Sequence, residues 1–437
     1  MIHQALPMKP RPKLPWRKRL TFVGCLVVFL CVFTELGCYF GLLLITEENE
    51  ESVQKARNTL AQEPNVTALR EVFHPYLGWV LNPALHPGMD EAGKHFAVNE
   101  FGLLDNGSPI RQRDRNKVIV AFMGGSVSWH VSAHTDEVFV RELKKAERFR
   151  DKTIAIVRLS LHGYKEPQQL LLLTYLLSLG AEYDVLINID GFNETALHEN
   201  ENANQQIFPP YPRAWSARIG QQSDPRSVDL YYRIIVTKQD RQAWAQFCNR
   251  LPLQRLNTVN FLWKSRDTRY SRRLLADNIS LIQVRVDNPG YQLTGPRQTF
   301  ADQHAMRQFL LEYWARCSLT LNRLCQSHEI EYHHVLPPNQ YLEGSKPMLA
   351  EERQQAIFLF GAGATAAAMY PKLVEQGQQL VDRGVKFHDL SMLFVSVEEP
   401  LYVDVFCHYN DTGNQLVARA IARHIAGLPS ETAEGKP

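Results

Sequence analysis

The sequence predicts an α/β protein in which a parallel sheet lies between two layers of helices, with one transmembrane helix near the N-terminus. Three observations predict this architecture. Strand patterns alternate with helix patterns between residues 117 and 197, an order that produces parallel strands with helices on both faces. A 26-residue apolar run precedes them. Near the other end of the chain, a histidine-containing segment leads into an apolar-periodic helix from Gln415 to Ile425.

The apolar run extends from Leu20 to Ile45, enough to cross a hydrocarbon core of about 30 Å at about 1.5 Å per residue. Six Lys and Arg residues and no acid precede it, whereas four glutamates follow. The positive-inside rule then predicts a cytoplasmic N-terminus and an outer location for the rest. A cleaved signal peptide is the alternative, but its apolar core is about 7–15 residues long and ends at a small-residue site. Glu35 lies inside the run, and we expect it to be protonated or in a helix–helix contact with Gly37 and Gly41.

Composition bears on the class of partner and on cofactors. The net charge of the chain is +2, and the six Lys and Arg residues before the span contribute more positive charge than this. The part of the chain after the span is therefore mildly acidic, which gives no support to nucleic-acid binding. No cysteine or histidine spacing indicates a metal site, and we expect no cofactor. An oxidising compartment would allow disulfides among four cysteines outside the span, with three connectivities if all pair: Cys248, Cys317, Cys325 and Cys407.

The first chemical signal is a serine at the end of a strand. The apolar run Val118–Met123 has the pattern of a strand buried on both faces, and it leads into Gly124-Gly125-Ser126. The carboxyl edge of an open α/β sheet is where ligands bind, and glycines let the backbone turn sharply there. Alone, the tripeptide is more typical of an ordinary turn.

Two further blocks follow the next two predicted strands. Gly163 comes after the strand Thr153–Val157, and Gly191-Phe192-Asn193 comes after Asp184–Ile189. A glycine N–H and an asparagine amide are suitable donors to a developing oxyanion. Each block alone is also common turn chemistry.

The last block supplies a base. His408 stands just before the terminal helix, and Asp404 lies four residues upstream. A carboxylate in hydrogen-bond reach of a histidine fixes its tautomer, and the histidine can then take a proton from a serine.

These residues, in this order, resemble the SGNH (GDSL-like) hydrolase superfamily. The resemblance implies that Ser126 is the nucleophile and His408 the general base, with the Ser126 N–H, Gly163 and Asn193 as the oxyanion hole. Gly125 and Gly191 belong to the same blocks. Members carry the acid three residues before the histidine, so Asp404 is one residue too far, and a backbone carbonyl is the alternative partner of His408. The lead-in around residues 73–79 and 99–102 resembles membrane-anchored bacterial members, and the likeness covers about residues 70–197 and 302–426.

The resemblance and the anchor together predict a division of the chain. We expect a cytoplasmic basic arm at 1–19, the anchor at 20–45, a linker and lead-in at 46–116, an SGNH-like catalytic domain at 117–428 and a flexible tail at 429–437. A largely helical insertion at 198–301 interrupts the domain. In the shared fold it would emerge near the carboxyl ends of the strands, where a lid is plausible.

The predicted function is a membrane-anchored serine esterase acting on acylated glycans or lipids of the cell envelope, with its catalytic domain periplasmic or extracellular. An O-acyltransferase that modifies an exported polysaccharide uses the same parts and is the first alternative. A catalytically inactive glycan-binding or scaffold protein, associated with envelope polysaccharide machinery, is the second.

Overall fold

The structure is a computed structural model that describes residues 15–45, 50–62, 71–84, 88–89, 95–104, 107–219, 225–251, 254–287 and 291–429. The helices are α1 (Trp16–Ile45), α2 (Glu50–Gln62), α3 (Ser126–His134), α4 (Asp136–Leu143), α5 (Glu147–Arg150), α6 (Gln168–Ser178), α7 (Phe192–Leu197), α8 (Trp215–Ile219), α9 (Pro225–Arg250), α10 (Asn257–Asp287), α11 (Tyr291–Thr294), α12 (Gln303–Ser327), α13 (Ala350–Ala356), α14 (Ala362–Asp382) and α15 (Asp411–Ala426). A π-helical turn (His198–Asn202) and a 3₁₀ turn (Ala203–Gln205) follow α7. The strands are β1 (Glu71–His74), β2 (Gly78–Leu81), β3 (Gly88–Met89), β4 (His95–Phe96), β5 (Lys117–Gly124), β6 (Thr153–Arg158), β7 (Val185–Ile189), β8 (Glu331–Leu336) and β9 (Lys386–Asp389).

The chain forms two compact units. Met1–Ala68 and Asp224–Arg285 make one, which we call the anchor unit, and Leu69–Ser223 with Val286–Pro437 make the other, which we call the sheet unit. The predicted insertion therefore does not remain one block, because α9 and most of α10 belong to the anchor unit.

The sheet unit is built on a five-stranded parallel sheet in the order β6-β5-β7-β8-β9. The first strand along the chain, β5, is flanked by β6 on one side and β7 on the other. The next two strands along the chain therefore lie on opposite sides of β5. At such a reversal of strand order, a crevice is expected at the carboxyl ends of the strands. The mixed α/β class and the parallel sheet are confirmed.

Both faces of the sheet are covered. On β5, Ile119 and Met123 join one buried cluster with residues of α6, α12 and α14, whereas Val120 and Phe122 join another with residues of α3, α4 and α15. The alternation follows the two-residue period of a strand, and each fully buried large apolar side chain contributes roughly 1.5–3 kcal/mol. Burial on both faces explains why β5 has a continuous apolar sequence.

The three strands predicted between residues 117 and 197 agree with β5, β6 and β7 to within one residue at each end, but the sequence does not predict β9. This strand has the sequence Lys386-Phe387-His388-Asp389 and lies at the edge of the sheet, paired only with β8. A short polar edge strand carries no apolar run, so periodicity does not reveal it. The short antiparallel pair β1 and β2 in the lead-in was likewise not predicted.

In the anchor unit, α1 is long and apolar enough to cross a membrane, with a mean hydropathy of 2.2 over an 18-residue window within Trp16–Leu44. The helix begins at Trp16, four residues before the predicted span. The first fourteen residues of the predicted basic arm and residues 430–437 of the predicted tail lie outside the described residues.

Glu35 on α1 is satisfied by the N-terminus of α10. Its carboxylate accepts hydrogen bonds from the backbone N–H groups of Asn257 and Thr258 and, at 2.7 Å, from the Thr258 hydroxyl. A Cβ atom on Gly41 would lie 2.7 Å from the Phe261 ring, so α10 packs closely against this glycine. The expected helix–helix contact therefore exists at Glu35 and Gly41, and Gly37 takes no part in it.

All seven cysteines are free thiols, so the disulfides that an oxidising compartment would allow are not formed. Cys317 and Cys325 lie on α12, and burial raises the pKa of Cys325 to about 12. Cys407 is also buried. A buried thiol with a raised pKa holds little thiolate and is inert to oxidation.

Three histidines stack at the β9 edge of the sheet. His333 Nδ1 lies 2.8 Å from His388 Nε2, and the rings of His388 and His424 are 4.6 Å apart. Burial, with the neighbouring histidines, lowers the pKa of His388 to about 3, and burial lowers the pKa values of His333 and His424. The folded protein therefore keeps this stack neutral at a pH where the unfolded chain binds protons.

This stack predicts acid sensitivity. An unfolded histidine has a pKa near 6.5, so stability is present above that pH and is lost as pH falls from about 6.5 toward about 3. When the pH falls from 7 to 5, the melting temperature of the wild type should decrease. We expect the decrease in His388→Asn to be smaller by at least about 2–4 °C, the equivalent of about 1 kcal/mol. Thermal unfolding of the full chain in detergent measures this. The exposed His328→Asn should retain the wild-type pH dependence, and equal slopes in all three proteins would contradict the assignment.

Candidate active site

Ser126 lies where the sequence predicts it, at the carboxyl end of β5. Strand β5 ends at Gly124, Gly125 is the N-cap, and Ser126 is the first residue of α3. The first N–H groups of a helix have no intrahelical acceptor, and the helix dipole makes this end positive. The Ser126 N–H is therefore suited to a developing negative charge.

His408 connects the serine to a carboxylate. Its Nε2 lies 2.7 Å from Ser126 Oγ, and its Nδ1 lies 2.6 Å from Asp404 Oδ2. Because a carboxylate only accepts, Nδ1 carries the proton and Nε2 is left to accept the serine proton. Burial raises the pKa of Asp404, but hydrogen bonds and charge from His408 and the Phe406 N–H outweigh it, so the net pKa is below the ordinary value. Asp404 is thus ionised at neutral pH.

The loop accommodates the additional residue between Asp404 and His408 through Cys407. Cys407 has a left-handed backbone, with φ of +66°, and its buried thiol accepts a hydrogen bond from Asn339 at 3.0 Å. The loop is closed by Val403 N–H donating to the His408 carbonyl at 3.1 Å. A non-glycine residue in this conformation is strained and is held by its surroundings. The alternative, in which a backbone carbonyl orients His408, is not what the structure contains.

Asn193 lies against Gly125, the residue before Ser126. Its Nδ2 donates one hydrogen to the Tyr164 carbonyl at 2.8 Å, which leaves the second hydrogen of the amide for another acceptor. A Cβ atom on Gly125 would lie 2.2 Å from Asn193 Nδ2. Glycine at position 125 is therefore required for the amide to approach Ser126.

Gly163 is in a left-handed conformation and precedes Tyr164, whose carbonyl holds Asn193. Its φ is +79°, a value that favours glycine. Arg213, which the sequence analysis did not single out, lies against Gly163: a Cβ there would be 2.2 Å from Arg213 Cδ. Arg213 is held by Glu201 at 2.5 Å. No periodic pattern in the sequence marks this residue, because it comes from an irregular segment.

Gly191 has a structural role as well as a place in the site. Its N–H donates to Glu194 at 2.7 Å, which caps α7. Burial and Asp190 raise the pKa of Glu194 to about 8, and burial lowers that of Lys165 to about 8. The turn that presents Asn193 is therefore backed by buried polar groups.

Asp190, the residue before Gly191, is the centre of a further group of buried hydrogen bonds. The Asp190 carboxylate accepts hydrogen bonds from Trp314 Nε1 at 2.6 Å and Asn188 Nδ2 at 2.7 Å, and His334 Nε2 lies 2.7 Å from it. His333, the next residue on the strand, bonds to His388 instead. The two adjacent histidines therefore have different partners and do not converge on one ion. In the described part of the chain, no three His, Cys, Asp or Glu side chains form a metal-binding group.

His130 is a second histidine at the site. Its ring is 5.0 Å from that of His408 and 5.3 Å from that of His162. Its spacing of four residues from Ser126 on α3 places the two on one helix face, which is a signal that the sequence contains.

The cavity at Ser126 is small, about 20 Å³. Its lining includes Gly125, Ser126, Gly191 and Asn193, together with Phe192 and Phe406. A volume of this size holds about one water-sized group. The space beside Ser126 therefore fits a group of about the size of a methyl.

Comparison with protein-family models gives no match to this chain, and comparison with curated proteins gives none. The functional assignment therefore depends on the geometry of the chain itself.

The contact between position 125 and Asn193 is testable. We expect Gly125→Ala to displace the Asn193 amide and to lower kcat by about 10²–10³-fold, the usual cost of losing one oxyanion donor. Asn193→Ala should cost a similar factor. The double variant should be no worse than the poorer single variant, because both remove the same donor. Steady-state kinetics on an activated ester measure this, and losses that multiply would show that the two positions act independently.

Proposed function

We propose that this chain is a membrane-anchored serine esterase of the SGNH type that removes acyl groups from esters of cell-envelope glycans or lipids. The observation that supports the proposal most strongly is the hydrogen-bonded series Ser126, His408 and Asp404, with the Asn193 amide beside the nucleophile. The parallel sheet covered by helices on both faces agrees with the three-layer sandwich of that superfamily.

Acylation begins with Ser126. As its Oγ attacks the ester carbonyl carbon, His408 Nε2 takes the hydroxyl proton, and the Asp404 carboxylate stabilises the resulting imidazolium. The tetrahedral oxyanion is stabilised by the N–H groups of Ser126 and Gly163 and by the free hydrogen of the Asn193 amide. His408 then gives its proton to the leaving alcohol oxygen as the C–O bond breaks.

Deacylation repeats these steps with a new acceptor. His408 takes a proton from water, the water oxygen attacks the acyl carbon, and collapse of the second tetrahedral intermediate returns the proton to Ser126 Oγ. The product is a free carboxylic acid. If a sugar hydroxyl replaces water, the same steps transfer the acyl group, which is the O-acyltransferase alternative.

The anchor unit supports a location at the membrane. Helix α1 is the right length to span it, and six Lys and Arg residues lie within or before its first turn with no acid among them. We therefore place the sheet unit on the outer side, where acylated envelope polymers occur.

An activity-based probe tests the nucleophile. We expect a fluorophosphonate to label the detergent-solubilised full chain, and Ser126→Ala to abolish the labelling. Asp404→Asn should slow labelling by about 10³–10⁴-fold, because an amide that donates to Nδ1 favours the wrong imidazole tautomer. Ser128→Ala is a matched control on the same helix. Absence of labelling in folded wild type would favour a non-catalytic binding role.

Product analysis separates hydrolysis from transfer. The unlabelled wild-type protein is incubated with an acyl ester, once with a sugar acceptor and once without it. If the esterase assignment is right, free acid should form in both cases. Acyl sugar as the main product would instead favour the transferase.

The 20 Å³ cavity at Ser126 also predicts a preference for short acyl groups. We expect kcat/KM for p-nitrophenyl acetate to exceed that for the butyrate by at least about tenfold, because additional methylenes do not fit. Phe406→Ala should enlarge the cavity and reduce this ratio, whereas Val403→Ala in the same loop should not. An equal preference for acetate and butyrate in wild type would mean that the acyl group does not occupy this cavity.

A further inference from the structure

The sheet unit contains a second, larger cavity that the catalytic residues do not use. Its volume is about 330 Å³, at the lower end of the range of about 300–1,000 Å³ that is typical of small-molecule sites. One wall comes from His198 and the turns after it, and the other from the segment between Thr294 and Met306. A cavity of this size has room for a small-molecule ligand.

His198 gives this cavity a buried polar group. The residue is 2 % exposed, and its Nδ1 has no hydrogen-bond partner among the described residues. Burial, with the charge of Lys165, lowers the pKa of His198 to about 4, so its ring is neutral at physiological pH. A neutral imidazole offers one donor and one acceptor, which is the combination that a hydroxyl group satisfies.

The remaining lining has the same character. It includes the amides of Gln206 and Gln298, the Thr299 hydroxyl and the Phe300 ring. Arg297 and Asp302 contribute one charge of each sign, so the lining has no net charge. Amides and hydroxyls bind hydroxyl groups, and an aromatic face packs against the apolar C–H face of a sugar ring. An anionic ligand would instead require an excess of cationic residues.

Local backbone geometry also distinguishes this wall. His198–Asn202 forms a π-helical turn, and Gln206 has a left-handed backbone with φ of +54°. Both features are unfavourable locally and occur mainly at functional sites. They accompany the cavity and the unpaired His198 nitrogen, which are the primary observations.

One short helix connects this cavity to the candidate active site. Helix α7 begins at Phe192, next to the oxyanion residue Asn193, and ends at Leu197, immediately before His198. Five residues at about 1.5 Å each separate Asn193 from His198 by about 8 Å along the helix. A polymer that presents an ester to Ser126 can therefore place a neighbouring unit in the larger cavity.

We propose that this cavity is a subsite for an uncharged sugar unit of the glycan that carries the ester. This subsite proposal rests on the proposed acyl-ester function. It narrows the substrate of that function to a neutral glycan rather than a lipid. The hydroxyl groups of the sugar pair with His198 and the glutamine amides, and the ring lies against Phe300.

Binding can be measured without turnover. We would titrate the full-length Ser126→Ala protein in detergent with cellotetraose, maltotetraose and chitotetraose, using ligand-observed NMR. We expect at least one of them to bind, and Gln298→Ala and Phe300→Ala, each made in the Ser126→Ala background, to weaken that binding by about tenfold or more. Gln326→Ala is the matched control, because it lies at the opposite end of the helix that begins at Gln303, about 35 Å away. Melting temperatures verify that each variant is folded.

The outcomes are distinct. Loss of binding in the two cavity variants but not in the control supports the proposal. Binding by none of the three tetrasaccharides, binding that all variants retain, or preferential binding of an acidic oligosaccharide such as tetragalacturonate overturns it. Fluorophosphonate labelling of wild type is read separately, so a sugar-binding protein without a reactive serine and an esterase without this subsite give different results.

Discussion

The site depends on the parallel arrangement of β5 with its two neighbours. Because β6 and β7 both run in the direction of β5, their carboxyl ends lie at one edge, and the segments that follow them meet there. This places Ser126 against Asn193, with the Tyr164 carbonyl holding the amide. An antiparallel neighbour would put its following turn at the other end of the sheet. The geometry of the candidate site is therefore a consequence of strand direction before it is a matter of side chains.

Rigidity of the oxyanion turn comes from polar burial beneath it. Asp190 and Glu194 are both buried, and between them they accept hydrogen bonds from backbone and side-chain donors that fix the start of α7. Buried charge without such donors costs several kcal/mol. These donors hold the start of α7, which carries Asn193. Removal of Trp314 would take one of the two partners of Asp190 Oδ1 and leave the His334 contact to satisfy that oxygen.

The sequence locates the residues of the candidate site better than it locates their surroundings. Ser126, His408 and Asn193 follow strands or precede a helix with clear periodicity, so their positions follow from local patterns. Arg213 and the contact of α10 with α1 arise from chain segments far apart in sequence, and no local pattern encodes them. The spacing of Asp404 left its role open, because only the left-handed backbone at Cys407 shows how the loop brings the carboxylate to the histidine.

The contact at Glu35 has a consequence for biogenesis. Its hydrogen-bond donors, Asn257 and Thr258, are 222 and 223 residues later in the chain. At about 5–20 residues per second, a ribosome needs roughly 10–45 s to synthesise that length. Helix α1 is thus made long before the Glu35 carboxyl group can be paired, and until then this group has to be protonated or hydrated. Assembly of the anchor unit is therefore a late event, which follows synthesis of the 222 residues after Glu35, up to Asn257.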